Sequence, residues 1–175
     1  MLEQYGGWPT LLSELCDGEN LTSEKTELVL SEILSGEVDP SQISAFLIAL
    51  KVKGETTEEI IGLVRAMLNA SEPLSLPENS IDIVGTGGSL QRREAALNVS
   101  TMASFVAAAS GAVVCKHGNR RASSTSGAFD LLDALGLPVD QTPLEVAEQV
   151  KSKNLGFAFA KTFHPAMRFA GPVRA

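Results

Sequence analysis

The apolar residues of this chain change period at a proline-bounded connector, Glu72-Pro73 to Pro77-Glu78, and no single regular element can run through it. Before it, Leu28, Leu30, Ile33 and Leu34 keep a helical period that stops at Gly36. Asp39-Pro40-Ser41-Gln42 has the chemistry of a helix start, with Asp39 as N-cap, Pro40 at the first helical position and Gln42 three residues after the cap. Ile43, Phe46, Leu47 and Leu50 form one apolar face of the helix that follows. Thr56-Thr57-Glu58-Glu59 offers a capping box ahead of Ile60, Ile61, Leu63, Val64, Met67 and Leu68. Such stripes bury in a core or a subunit interface. Residues 1–72 are therefore expected to form a small helical bundle.

Beyond the connector, given to residues 73–79, short apolar runs alternate with helical stretches. Ile81 to Val84 reads as a short buried strand ending at the turn Gly85-Thr86-Gly87-Gly88. Ser100 to Ser110 reads as an Ala-rich helix, and Ala112 to Cys115 as a second strand. Ala128 to Leu135 is helical and stops at Gly136, Thr142-Pro143-Leu144-Glu145 caps another helix, and Gly156 to Ala160 is a third strand. Strands alternating with helices make a parallel sheet. The expected class is α/β: a small N-terminal helical bundle plus a parallel-sheet α/β domain over residues 80–175.

Composition removes several function classes. Of 175 residues, 44% are hydrophobic and 20% charged, which is globular rather than disordered. No apolar run approaches the roughly 18 residues of a membrane span, and Met1-Leu2-Glu3-Gln4 has neither part of a signal peptide. Cys16 and Cys115 stand outside any CxxC pattern and read as free thiols in a reducing cytoplasm. The net charge of −7 is uneven, −10 over residues 1–80 and +3 over residues 81–175. That acidic first half argues against broad binding to nucleic acid, while focused positive charge suits a small anion; uneven surface charge is the plainer alternative.

The positive charge gathers in Lys116-His117-Gly118-Asn119-Arg120-Arg121-Ala122-Ser123-Ser124, where cations, a histidine, an amide and two hydroxyls surround one glycine directly after a strand. Lys116, Arg120, Ser123, Ser124 and the backbone N–H groups are phosphate donors; the alternative is a solvated charged loop. Gly85 to Gly88 lies between a strand and a helix start, where backbone N–H groups and the helix dipole accept an anion. Alone it is a tight turn by default, lacking the third glycine of a dinucleotide fingerprint and any GKS or GKT. Asn98-Val99-Ser100-Thr101 supplies ordinary caps whose amide and hydroxyls can also hold a phosphate or a metal.

These motifs, Asp82 to Gly88, Asn98 to Thr101 and Lys116 to Arg120 with Ser123-Ser124, resemble those of the anthranilate phosphoribosyltransferases. So do Ser35-Gly36-Glu37, Lys53-Gly54-Glu55-Thr56, and Phe163-His164-Pro165-Ala166-Met167 with Pro172-Val173-Arg174. The resemblance covers almost the whole chain in order, and the basic loop separates it from the related pyrimidine nucleoside phosphorylases. It implies transfer of phosphoribosyl from phosphoribosyl pyrophosphate (PRPP) to the amine of anthranilate in tryptophan biosynthesis, releasing pyrophosphate, by a Mg²⁺-dependent cytoplasmic homodimer joined through its N-terminal helices. In that scheme Gly85, Gly88, Ser89, Asn98, Val99, Ser100 and Thr101 cradle the donor, with Ser100 also touching Mg²⁺. Lys116, Gly118, Arg120, Ser123 and Ser124 hold ribose-phosphate and pyrophosphate. Asn119 faces anthranilate, Arg174 pairs its carboxylate, and His117 and His164 line the route. The alternative for both histidines is a hydrogen-bonded structural role, and for Arg174 a solvated one. Displacement at an anomeric carbon needs a neutralised leaving group and an aligned amine rather than a covalent nucleophile.

The chain departs from the family pattern at several positions. Ser89 stands where the family usually has Asp, and Leu90 to Leu97 makes a longer loop carrying Arg92 and Arg93. Those arginines either supplement pyrophosphate binding or lengthen an exposed loop. Ala128 stands where the family usually has a serine contacting the donor, so one hydrogen bond is expected to be missing. Family members are roughly twice this length, and their Mg²⁺-holding Asp-Glu pair has no counterpart here. The α/β domain is therefore expected to be incomplete, with an uncovered edge, and the chain to be a truncated form inactive alone. Three other readings stay open: a transferase with a different aromatic acceptor, a non-catalytic nucleic-acid-binding relative, which the net charge disfavours, and a degenerate product.

Overall fold

The computed structural model describes residues 2–85, 97–121 and 126–173, which fall into two compact units. One comprises Met1–Ser71 with His164–Ala175, the other Glu72–Phe163. By contact, then, the last segment groups with the helices rather than with residues 80–163. Among the described residues no helix is long and apolar enough to cross a membrane.

The first unit contains a 3-10 turn at Leu2–Tyr5, helices α1 (Gly7–Cys16), α2 (Ser23–Ser35), α3 (Pro40–Lys53) and α4 (Thr57–Asn69), and a 3-10 turn at Pro165–Arg168. Its helix ends are set locally. The Thr22 side chain accepts from Lys25 N, and α2 stops at Gly36, whose φ of 85° suits glycine. Asp39 accepts from Ser41 N with Pro40 opening α3. At α4 the box closes both ways, since Thr56 accepts from Glu59 N and Glu59 accepts from Thr56 N. Trp8, Leu11, Leu15, Val29, Ile33, Phe46 and Leu50 form the core, with Trp8 meeting Phe46 edge-on at 6.3 Å. Gly62 lets α4 close on α2, because a Cβ there would lie 2.2 Å from Ser23 O. Ala170, 6% exposed, completes this core from the far end of the chain.

A buried polar node ties three segments of the unit together. The Glu59 carboxylate, 0% exposed, accepts from Leu21 N at 2.9 Å, Thr56 N at 2.7 Å, Thr56 Oγ1 at 3.0 Å and Lys53 Nζ at 2.9 Å. Burial alone would raise its pKa, but these donors together hold it below the ordinary 4.5. Lys53 also donates to Asn20 Oδ1 and Gly54 O. The expected apolar stripe of α4 is only partly buried. Ile60, Val64 and Leu68 are exposed, as are Ile48 and Val52 of α3.

The second unit contains α5 (Val99–Ala109), β1 (Val114–Gly118), α6 (Ala128–Ala134), α7 (Pro143–Lys153), β2 (Leu155–Phe159) and α8 (Ala160–Phe163). Strands β1 and β2 are parallel, in register from Val114 opposite Leu155 to Gly118 opposite Phe159. Strand alternation sends side chains to both faces. Ala158 joins Cys115, Val146, Val150 and Phe163 on one, and Phe157 and Phe159 join Phe129, Leu132 and Val139 on the other. Gly156 admits α7, since a Cβ there would sit 2.5 Å from Val150 Cγ2. Leu74 and Leu76 of the connector pack on the Cys115 cluster.

Two strand expectations are corrected. Ile81 to Val84 is not a buried strand. Only Ile81 bridges β1, through Ile81 N to Val113 O at 2.9 Å and Cys115 N to Ile81 O at 3.0 Å, and Ile81 and Val84 are exposed because no described residue covers their outer face. Strand β1 starts later than expected and runs on through Lys116, His117 and Gly118, pairing with β2 where the sequence reads as loop. A third expectation, Gly156 to Ala160, matches β2 to within a residue.

Candidate active site

In open parallel sheets the crevice beyond the carboxyl ends of the strands is where ligands bind. Three segments meet there in the second unit: the stretch Asp82–Gly85, the start of α5 and the end of β1. Lys116, 2% exposed, reaches from β1 to donate from Nζ to Ile83 O at 2.7 Å. His117 N donates to Asp82 Oδ1 at 3.2 Å. These two bonds hold the segment ahead of the glycine turn alongside the strand. A Cβ at Gly85 would lie 3.9 Å from Ser100 Oγ, so the turn begins against the first turn of α5. The helix N-terminus contributes partial positive charge and free N–H groups at that point.

Asn98 does not cap α5 with its side chain; its Nδ2 donates instead to Ser126 Oγ at 2.9 Å, linking the start of α5 to the residue before Gly127. Asn98 and Ser100 are half-buried, whereas Val99 is exposed. Thr101 is fully buried, and its Oγ1 has no hydrogen-bond partner among the described residues.

The described part of the basic loop rests on the start of α6 through its backbone. Asn119 O accepts from Phe129 N at 3.2 Å, and Asp130 Oδ2 accepts from Gly127 N and Arg121 N, each at 2.8 Å. The Gly127 amide, then the Arg121 amide and the charges of Arg120 and Arg121, hold the Asp130 carboxyl below its ordinary range against the cost of desolvation. At Gly118 the chain passes close to α6, a Cβ there lying 3.0 Å from Ala128 Cβ. At Gly127 the approach is closer still, with the Asn119–Arg121 backbone occupying the space a side chain would need.

The cations of the loop are used unequally. Arg120 pairs with Asp133 and lies over the Phe159 ring, 5.4 Å from its centroid. Both partners of this pair are more than a third exposed, so it contributes little to stability. A double-mutant cycle of Arg120→Ala and Asp133→Ala, read by thermal melting, should give a coupling of about 0.2–1 kcal/mol. A larger value would mean that the pair fixes the loop. Lys116 is instead buried, which lowers its pKa, with Asp82 partly offsetting the effect. Burial and the same Asp82 charge push the neighbouring Cys115 thiol up to about 11.

Gly85, Asn98, Val99, Ser100, Thr101, Lys116, His117, Gly118, Asn119 and Arg120 thus belong to one unit, at the ends of segments linked by the bonds above. His164 belongs to the other compact unit, at the N-terminal end of its Pro165–Arg168 turn. Gly88, Ser89, Ser123, Ser124 and Arg174 lie outside the described residues. Sequence reasoning missed Asp82, Ser126, Gly127 and Asp130, which position the turn and the loop. A glycine just ahead of a helix start, with an acid three residues on, is the signal that was present for the last two. Among the described residues no set of three His, Cys, Asp or Glu could hold a metal ion. The Ser100 hydroxyl lies against Gly85, and Asp82 Oδ1 already accepts from His117 N.

Residues 77–175 match the α/β domain of a glycosyl transferase family, and residues 9–71 match the helical bundle domain of the same family. The chain belongs to this glycosyl transferase family. Among its relatives, the anthranilate phosphoribosyltransferase of Streptomyces griseus subsp. griseus is 46% identical over 167 residues, covering 95% of this chain and 46% of the relative. A crystal structure of anthranilate phosphoribosyltransferase from Thermus thermophilus matches with a TM-score of 0.85 at 42% identity, over 94% of this chain and 49% of that one. The Saccharomyces cerevisiae anthranilate phosphoribosyltransferase in complex with PRPP and Mg matches at 0.84 and 29% identity, over 97% and 50% of the two chains. The chain spans about half the length of the curated relatives it matches. The resemblance carried by the motifs is borne out along nearly all of this chain, as is the pairing of a helical bundle with an α/β domain in the glycosyl transferase family.

Proposed function

We propose that the site at the carboxyl end of β1 binds PRPP and serves transfer of its phosphoribosyl group to the amine of anthranilate. The observation that carries this reading is the meeting of Gly85, the Asn98–Ser100 helix start and the Lys116–Arg120 segment, three anion-favouring elements on one end of a parallel sheet. In the reaction the anomeric C–O bond to pyrophosphate breaks, an anomeric C–N bond forms and the amine proton leaves to solvent. The backbone N–H groups at Gly85 to Gly88 and at the start of α5 orient the donor. Lys116, beyond its bond to Ile83 O, keeps donors for phosphate oxygen. In this reading Asn119 and His117 face the acceptor, and Ser89, Ser123 and Ser124 would add hydroxyls to the donor cradle.

A Mg²⁺ ion, when bound, supplies charge neutralisation on the leaving pyrophosphate. In this reading Ser100 would offer its hydroxyl to the ion, which would lean chiefly on the phosphates of the donor. The unpaired thiols, one exposed and one buried, suit a reducing cytoplasm. The exposed Ile48 and Val52 of α3, with Ile60, Val64 and Leu68 of α4, are the apolar surface through which a homodimer would form.

Calorimetric titration of the chain with PRPP in the presence of Mg²⁺ should give saturable binding, weakened about tenfold by Ser100→Ala. Equal affinity in the variant would remove the helix start from the donor site, and no binding at any concentration would overturn the reading.

A further inference from the structure

A buried ammonium persists only where something compensates its charge, and the surroundings of Lys116 offer little. It is 2% exposed, and Nζ donates to a neutral carbonyl, Ile83 O, at 2.7 Å. Across the sheet its partner is Phe157, whose ring tilts against Phe105. Strand β2 and helix α5, which pack on β1, carry no titratable side chain along Leu155–Phe159 and Val99–Ala109. On β1 itself, alternation turns Cys115 and His117 to the opposite face. The Cys115 thiol is pushed up to about 11 by burial and by the Asp82 charge, so below that it is neutral and supplies no counter-charge. Among the described residues Lys116 forms no direct ion pair.

Asp82 is the carboxylate that remains. Burial lowers the Lys116 pKa, and the Asp82 charge works to raise it again. The geometry fixes the acid where it can do so. Asp82 Oδ1 accepts from His117 N at 3.2 Å, while Ile83 O receives the Lys116 ammonium. Both bonds join the same two dipeptides, Asp82-Ile83 and Lys116-His117, so the carboxylate and the ammonium are held within one short junction. Asp82 is exposed and so carries no burial cost of its own. We propose that Asp82 is a positioning residue acting through Lys116: its carboxylate keeps the buried ammonium charged until a donor phosphate takes over that role. In this role Asp82 would not touch the donor, whose negative charge it would repel. The inference rests on the reading of the site as one for PRPP. It makes donor binding weaken at alkaline pH, where the ammonium gives up its proton to solvent.

In the donor-free chain, a ¹³C NMR titration of the lysine Cε resonances follows the ammonium itself, with Lys116 assigned by its absence from Lys116→Arg. Its midpoint should move to lower pH in Asp82→Asn, which keeps an oxygen to accept from His117 N but removes the charge. In Asp82→Glu it should stay near the parent. Calorimetric PRPP titration at about pH 7 and about pH 10 reads the consequence. The affinity at the higher pH, relative to the lower, should fall about threefold or more further in Asp82→Asn than in the parent. In the Lys116→Arg background, whose guanidinium stays charged across this range, Asp82→Asn should leave that ratio unchanged. A parent that binds PRPP with an unmoved Lys116 midpoint in Asp82→Asn would overturn this inference alone. Equal loss of affinity at both pH values would do the same, since it marks a merely structural role. No PRPP binding by the parent would overturn the donor reading and the positioning role with it.

Discussion

Glu59→Ala should lower the stability of the helical unit by about 3–5 kcal/mol, the range for breaking one partner of a buried ion pair. The carboxylate is fully buried and satisfies donors from three segments: Leu21 N, the Thr56 N-cap and Lys53 Nζ. Truncation leaves the Lys53 ammonium and two backbone N–H groups without it, and the other described bonds of Lys53 go to neutral oxygens of Asn20 and Gly54. Trp8 is the chain's one tryptophan and lies in this unit's core, so denaturant titration followed by its fluorescence reports the loss directly. A change below about 1 kcal/mol would mean that water replaces the carboxylate without penalty. The pH dependence has a definite sign. The pKa of Glu59 is depressed in the folded state, so its contribution is fully present above the ordinary value of 4.5 and is lost as pH falls through the lower folded value. Glu59→Gln should therefore flatten the acid limb of the stability profile below that pH.

Gly127→Ala should weaken donor binding at the proposed PRPP site by at least about tenfold, because the loop that would hold the donor is displaced. The added Cβ would lie 2.4 Å from Arg120 C, 2.5 Å from Arg121 N and 2.6 Å from Asn119 O. All three are backbone atoms, so no side-chain rotation relieves the overlap and the loop itself must move. The backbone of Gly127, with φ −94° and ψ 172°, is open to any residue, which makes the effect steric rather than conformational. Overpacking of this kind also destabilises by about 1–3 kcal/mol. Calorimetric PRPP titration with melting of the same variant separates the two effects. Donor affinity within about twofold of the parent would show that the loop's position does not govern binding.

What was legible in the sequence was what is encoded within a few residues. The Thr56-Glu59 and Thr142-Glu145 boxes both close as read, because each needs only its own four-residue turn. The same locality limited the Glu59 reading: the box was visible, while the bonds to Leu21 and Lys53 depend on where α2 and α3 come to lie. At Asp39 the cap formed, accepting from Ser41 N. The basic run reads as a loop because its charges argue for solvent, yet Lys116 is buried and its strand continues through Gly118. Periodicity cannot foresee a lysine whose partner is a backbone carbonyl 33 residues upstream. By type Arg120 reads as a phosphate donor, and its pairing with Asp133, 13 residues on, is one that no spacing rule predicts.

The ring of Phe169 lies on Gly36, close enough that a Cβ at Gly36 would stand 2.5 Å from it, and Ala170 beside it closes the core of the helical unit. The chain therefore visits that core twice, with Glu72–Phe163 made in between. On a ribosome the helices emerge first but must wait, with the Phe169 seat on Gly36 vacant, until the whole of Glu72–Phe163 has been synthesised. Domains fold as units during synthesis at about 5–20 residues per second, so the helical core has an interval of several seconds in which its last piece does not yet exist. Vectorial synthesis thus leaves the helical core open while the whole α/β unit is made.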